Sequence, residues 1–125
     1  MRRHHPTLTP HELAIMKVIW KLGTATVREV YETLREKRSI AYTTVMTMMN
    51  VLEEKGYLEK RRVDRAYVYK PKRPQQQVVR QMVADFVDRV FDGAASALFV
   101  HLARDNRLSK EERKQIRKLI EEMDK

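Results

Sequence analysis

The sequence predicts a mainly helical chain in two parts, with three short helices closed by a two-stranded hairpin and then a helical tail. Three observations predict it. Apolar residues recur at helical spacing from Thr9 to Gly56, the period drops from 3.6 to 2 directly after Gly56, and Pro71-Lys72-Arg73-Pro74 interrupts both patterns before helical spacing resumes. The charge changes at the same break: residues 1–73 hold 16 Lys and Arg against 8 Asp and Glu, and residues 74–125 hold 10 against 9. The net +9 therefore sits almost wholly in the first part, and the expected domains are 1–73 and 74–125.

Each element has local signals. Thr9 is placed to cap a first helix, with Pro10 in its first turn and Glu12 three residues on to close a capping box. Leu13, Met16, Ile19 and Trp20 supply its expected apolar stripe, and Gly23 ends it. Thr26 and Glu29 repeat the box, followed by Val27, Val30, Tyr31 and Leu34 at helical spacing. A third helix is expected from about Ala41 to Lys55, with Val45, Met48, Met49 and Leu52 inward and Gly56 as its stop. Ala41 is a poor cap and Ser39 sits early, so the first residue of this helix is the least defined. Leu58 to Val63, a turn at Asp64-Arg65, and Ala66 to Tyr69 then read as a hairpin.

The tail begins with Val78/Val79, Met82/Val83, Phe86/Val87 and Val90/Phe91, apolar pairs every four residues. Gly93 separates these from a second apolar segment, Ala94 to Ala103, and Ser109 with Glu112 opens a last capped helix. About 50 residues cannot bury so wide a stripe well, so self-association through Val79, Met82, Phe86, Val90, Leu98 and Phe99 is expected. Docking of the tail onto the first half is the alternative.

Composition narrows the function. With no Cys, thiolate metal sites, disulfides and cysteine nucleophiles are excluded, and a reducing cytoplasm is the expected setting. The N-terminus lacks the apolar stretch of a secretion signal, and no run approaches the ~20 apolar residues of a membrane span, so no membrane insertion is expected. The four His residues and three Ser residues form no nucleophile-and-base motif, and no enzyme is expected. His4, His5 and His11 could be metal ligands, but chance histidines at a terminus are favoured, and neither metal nor cofactor is expected.

Three helices followed by a basic hairpin is the order of a winged helix-turn-helix, in which the third helix enters the major groove of DNA and the hairpin flanks it over phosphate. Turning Val45, Met48, Met49 and Leu52 inward leaves Thr43, Met46, Thr47 and Asn50 outward, with Tyr42 and Thr44 at the shoulders. Threonines suit base edges or phosphates, Met46 suits a thymine methyl, and Asn50 has the groups for a bidentate contact to adenine. A solvated face is the alternative, but an apolar Met46 aimed at water beside threonines favours a partner surface. Lys60, Arg61, Arg62, Arg65, Lys70, Lys72 and Arg73 form a cluster suited to phosphate, although charges also protect an edge strand. Tyr67 and Tyr69 share a strand face, with packing favoured over base stacking. The rival binding mode is a basic protein coating RNA or chromatin without sequence preference.

LTPHELAIMKVIWKLG, TVREVYETL, AYTTVMTMMNVLEEKGYLEK and RAYVYKP resemble, segment for segment, the penicillinase repressor family of bacterial winged-helix regulators (BlaI/MecI). The resemblance spans nearly the whole chain. It implies a homodimeric repressor on a palindromic double-stranded operator, with the tail as dimerisation domain, and it places the operator-reading positions on Thr43 and Thr44, beside Tyr42 and Thr47. It also implies a membrane-bound sensor metallopeptidase as partner and cleavage of the repressor within the tail at an Asn-Phe pair. The matching position here is His101-Leu102, a departure from that pair. Copper-responsive relatives carry a cysteine cluster that this sequence lacks.

Overall fold

The computed structural model describes residues 8–124. His4 and His5 lie outside them. The chain folds as α1 (Pro10–Leu22), α2 (Val27–Leu34), α3 (Tyr42–Glu54), β1 (Leu58–Val63), β2 (Ala66–Pro71), α4 (Gln75–Phe91), α5 (Ala95–Arg104) and α6 (Lys110–Met123). It divides into two compact units between Arg80 and Gln81, inside α4.

In the first unit the helix starts form as the spacing predicts. Thr9 accepts from the Glu12 backbone N–H at 3.2 Å while Glu12 accepts from the Thr9 N–H at 2.8 Å, and Thr26 with Glu29 repeats both bonds. Each box satisfies two N–H groups that a helix start would otherwise leave without a partner. α3 begins at Tyr42 with Ala41 as N-cap and no side-chain cap bond. Gly56, at φ 89°, supplies the left-handed turn that carries the chain from α3 into β1.

The core of this unit includes Ile15, Met16 and Ile19 of α1, Val30 and Leu34 of α2, Val45, Met49 and Leu52 of α3, Tyr57 just before the hairpin, Leu58 and Tyr69 within it, and Val78 of α4. Two details differ from the expected stripes. Ile15 is fully buried while Leu13 and Trp20 are only half-buried, because the face of α1 that meets α3 is turned toward the Glu12 side; Met48 is likewise half-buried. Trp20 instead uses its ring edge, its Nε1–H donating to the Arg73 carbonyl at 3.0 Å and so tying the end of the hairpin to α1.

β1 and β2 are antiparallel with Val63 opposite Ala66, so Asp64 and Arg65 alone form the turn, Asp64 at φ 57°. Ala25 adds a one-residue bridge to the open edge of β2 through two backbone bonds with Tyr69, 2.8 and 2.9 Å. The hairpin is thereby anchored to the start of α2.

Glu12 is the buried charged residue of this core, 5 % exposed. The Lys55 ammonium, at the end of α3, donates to both of its carboxylate oxygens at 2.9 and 3.0 Å. Burial alone pushes the Glu12 carboxyl up, but the Thr9 backbone N–H and the Lys55 ammonium outweigh it and hold the pKa below the ordinary glutamate value. A capping residue of α1 thus also fixes where α3 ends.

The second unit comprises the rest of α4 with α5 and α6. Ser109 and Glu112 close a third capping box at the start of α6. Phe91 meets the Phe86 ring at 5.9 Å and the His101 ring at 5.4 Å, linking α4 to α5. No residue of α5 or α6 is fully buried.

Candidate nucleic-acid interface

α3 turns Val45, Met49 and Leu52 into the core and leaves Thr43, Thr44, Met46 and Thr47 exposed. Met46 is 40 % exposed, high for a large apolar side chain amid hydroxyls. Tyr42, half-buried at the head of the helix, is held from two sides by α2. The Tyr31 ring meets it edge-on at 5.4 Å, and the Arg28 guanidinium lies over it at 4.9 Å. No motif in the sequence marks Arg28; its place in the first turn of α2 is what brings it to the leading end of α3.

The hairpin splits its cations between two faces, as the two-residue alternation of a strand requires. Lys60 and Arg62 lie opposite Tyr69 and Tyr67 in the ladder and share their face. Lys60 approaches the Tyr67 ring at 4.8 Å and Arg62 at 5.9 Å. Tyr67 remains 46 % exposed, whereas Tyr69 is buried. Arg61 is on the other face, beside Thr24, Glu59, Val68 and Lys70. Lys60 and Arg65 therefore border α3, Arg62 shares the strand face of Lys60, and Arg61 is on the opposite face.

Between α3 and the hairpin runs an open groove of about 500 Å³, lined by Thr26, Val27 and Arg28 of the α2 start, Tyr42, Met46 and Asn50 of α3, and Lys60, Arg65, Ala66, Tyr67 and Tyr69 of the hairpin. Its walls combine aromatic rings with three cations, and Thr43, Thr44 and Thr47 stand on the exposed part of the same helix. Asn50 is placed differently from the outward position expected of it. It is half-buried, and its Oδ1 accepts from the Tyr69 hydroxyl at 2.9 Å and from the Lys60 ammonium at 3.4 Å.

The sequence profile of the family described as "Penicillinase repressor" matches residues 8–122. The chain belongs to the penicillinase repressor family. Among relatives of this family, the penicillinase repressor of Bacillus licheniformis is 27 % identical over 117 residues, 94 % of this chain and 91 % of that protein. The transcriptional regulator BlaI of Mycobacterium tuberculosis is 32 % identical over 115 residues, 90 % of this chain and 82 % of that protein. A solution structure of the DNA-binding domain of the repressor BlaI superposes with a TM-score of 0.53 at 32 % identity, covering 60 % of this chain and 90 % of that one. Another, of monomeric Bacillus licheniformis BlaI in complex with the blaP half-operator, gives 0.51 at 32 % identity, over 61 % and 92 %. The first unit of this penicillinase repressor family member is accordingly a winged helix, with β1 and β2 as the wing and α3 as the third helix of the motif.

Along α4 and α5, Val79, at the end of the first unit, and Phe86, Val90 and Phe99 of the second are each more than 40 % exposed, and Met82 and Leu98 are half-buried. The sequence pattern singled out these residues, and each retains apolar surface in the single chain. His101 and Leu102 lie within α5, His101 exposed and Leu102 half-buried. No helix among the described residues is long and apolar enough to cross a membrane.

Proposed function

We propose that this chain is a transcriptional repressor that binds a palindromic double-stranded DNA operator as a homodimer, with one α3 in the major groove of each half-site. The observation that carries the reading is the exposed ridge of Thr43, Thr44, Met46 and Thr47 beside a wing whose Lys60 and Arg65 line the adjoining groove, with Arg62 on the strand face of Lys60 and Tyr67. Threonine hydroxyls and methyls suit base edges, Met46 suits a thymine methyl, and each well-formed base contact contributes roughly 1–3 kcal/mol of discrimination. Tyr42 and Arg28 frame the leading end of α3, whose first-turn N–H groups have no side-chain cap and so offer donors to a phosphate. The wing cations neutralise phosphates, which makes affinity fall steeply with salt. The half-operator complex of the Bacillus licheniformis relative supports this placement by homology.

Dimerisation through Val79, Met82, Phe86, Val90, Leu98 and Phe99 would cover their exposed apolar surface and set the two α3 helices about one DNA turn, ~34 Å, apart. Pairing converts the second half-site contact into an intramolecular one, a gain of about 10²-fold or more. Repression is then relieved by whatever separates the tails. Cleavage at His101-Leu102 by a membrane-bound sensor metallopeptidase is one such route, and it requires α5 to unwind locally because a protease binds extended backbone.

Selection of bound duplexes from a randomised pool tests the proposal. An enriched inverted repeat with half-sites one turn apart is the expected result. Recovery of no common sequence, or equal binding to RNA, would favour a general nucleic-acid coat instead.

A further inference from the structure

Asn50 is a polar residue of α3 whose side chain is bonded within the fold. Its Oδ1 receives the Tyr69 hydroxyl at 2.9 Å and the Lys60 ammonium at 3.4 Å. Tyr69 is 2 % exposed, and its backbone N–H and C=O are both bonded to Ala25 at the entry to α2. Lys60 also lies 3.8 Å from Glu53, one turn further along α3, and 4.8 Å from the Tyr67 ring. One carboxamide oxygen therefore joins α3 to both strands of the wing, at a point already fixed to α2.

We infer that Asn50 is a positioning residue, a latch that sets the angle of the wing against α3, rather than a reader of adenine. The inference rests on the operator-binding reading above. Bidentate recognition of adenine needs the carboxamide oxygen to accept from the base N6 amino group while its nitrogen donates to N7. Here the oxygen is already occupied by two donors, one of them buried, and turning it toward DNA would strip the Tyr69 hydroxyl of its partner. A buried hydroxyl left without an acceptor is costly. Holding the wing, by contrast, uses all three groups as they stand and places Lys60, Arg62 and Arg65 at a fixed offset from the threonine ridge.

Tyr69→Phe, Asn50→Ala and the double variant separate the two roles, because buried Tyr69 cannot touch DNA. Each would be titrated with the selected operator and with operators altered at single base pairs, at several salt concentrations, and each folded chain would be followed by amide exchange across β1 and β2. The latch predicts that both single variants weaken every duplex by a similar factor, about fivefold, with faster wing exchange and a shallower salt dependence. The double variant should be no worse than Asn50→Ala alone, since Asn50→Ala already removes the bond that Tyr69→Phe removes, together with the Lys60 contact. Asn50→Asp, which keeps the acceptor and loses the donor, should retain slow wing exchange. Loss of discrimination at one adenine in Asn50→Ala, with Tyr69→Phe unchanged, would overturn the latch. If the unaltered chain shows no preferred operator, the operator reading fails, while the exchange data still decide whether the latch exists.

Discussion

Replacing Glu12 with Gln should lower the stability of the winged unit by about 2 kcal/mol. The side chain is almost the same size, so packing around it is preserved and the charge is what changes. Glutamine keeps an oxygen to accept the Thr9 N–H and hence the capping box, but it puts an amide N–H₂ where the second carboxylate oxygen receives Lys55. A hydrogen bond to a charged group contributes roughly 1.5–3 kcal/mol. The Lys55 side chain is 25 % exposed, so solvent screens part of the interaction and the lower half of that range applies. Glu12→Ala removes the capping box as well and should cost about 1 kcal/mol more. Trp20, the one tryptophan, sits on the same helix and reports urea unfolding of this unit by its fluorescence. The pH dependence carries a second signature. The folded pKa of Glu12 is depressed, so its contribution is fully present above the unfolded-state value and is lost as pH falls through the lowered folded value. The gap between the wild-type chain and Glu12→Gln should therefore hold at neutral pH and close in acid. A neutral-pH difference below about 0.5 kcal/mol, or a gap that persists in acid, would refute the reasoning.

Other perturbations probe the tail and its junction with the wing. A chain ending at Arg80 should be more stable than one ending at Arg73 by about 1.5–3 kcal/mol, because Val78, counted with the first unit, is 1 % exposed; thermal melts of the two compare them directly. If the chain pairs through the tail as proposed, Phe86→Asp should sediment as a monomer where the unaltered chain sediments as a dimer, and should weaken palindrome binding about 10²-fold while leaving binding to an isolated half-site unchanged. Arg61→Ala should weaken operator binding less than Arg62→Ala, since Arg61 lies on the face of the wing away from α3; anisotropy titrations at fixed salt would show the order.

Local rules made most of the fold readable. The three boxes at Thr9/Glu12, Thr26/Glu29 and Ser109/Glu112 all form, since they depend only on residues three apart. The Asp64-Arg65 turn was legible for the same reason, whereas the first residue of α3, which has no side-chain cap, carries no local signal to fix it. What sequence could not disclose depends on partners far along the chain. Glu12 reads as a cap, and only the fold brings Lys55, 43 residues away, onto its carboxylate. Asn50 falls on the outward side of an isolated helical wheel, yet the wing folds over it and takes its oxygen through Tyr69, 19 residues on. Ala25 bridges Tyr69 as a single residue, too short for any periodicity to mark. The separation of Arg61 from Arg62 was different, being already implied by strand alternation once the hairpin register was fixed. In the tail, helical spacing located α4, α5 and α6, but spacing alone does not select which apolar residues the proposed second chain would cover.

The division of labour between helix and wing is tested most directly by comparing Thr47→Ala and Arg65→Ala over a panel of operators, each altered at one base pair. Thr47→Ala should flatten the preference at one position in each half-site and leave the others intact. Arg65→Ala should weaken all of them equally and lower the salt slope by about one phosphate. Uniform weakening by both substitutions would contradict a base-reading role for α3.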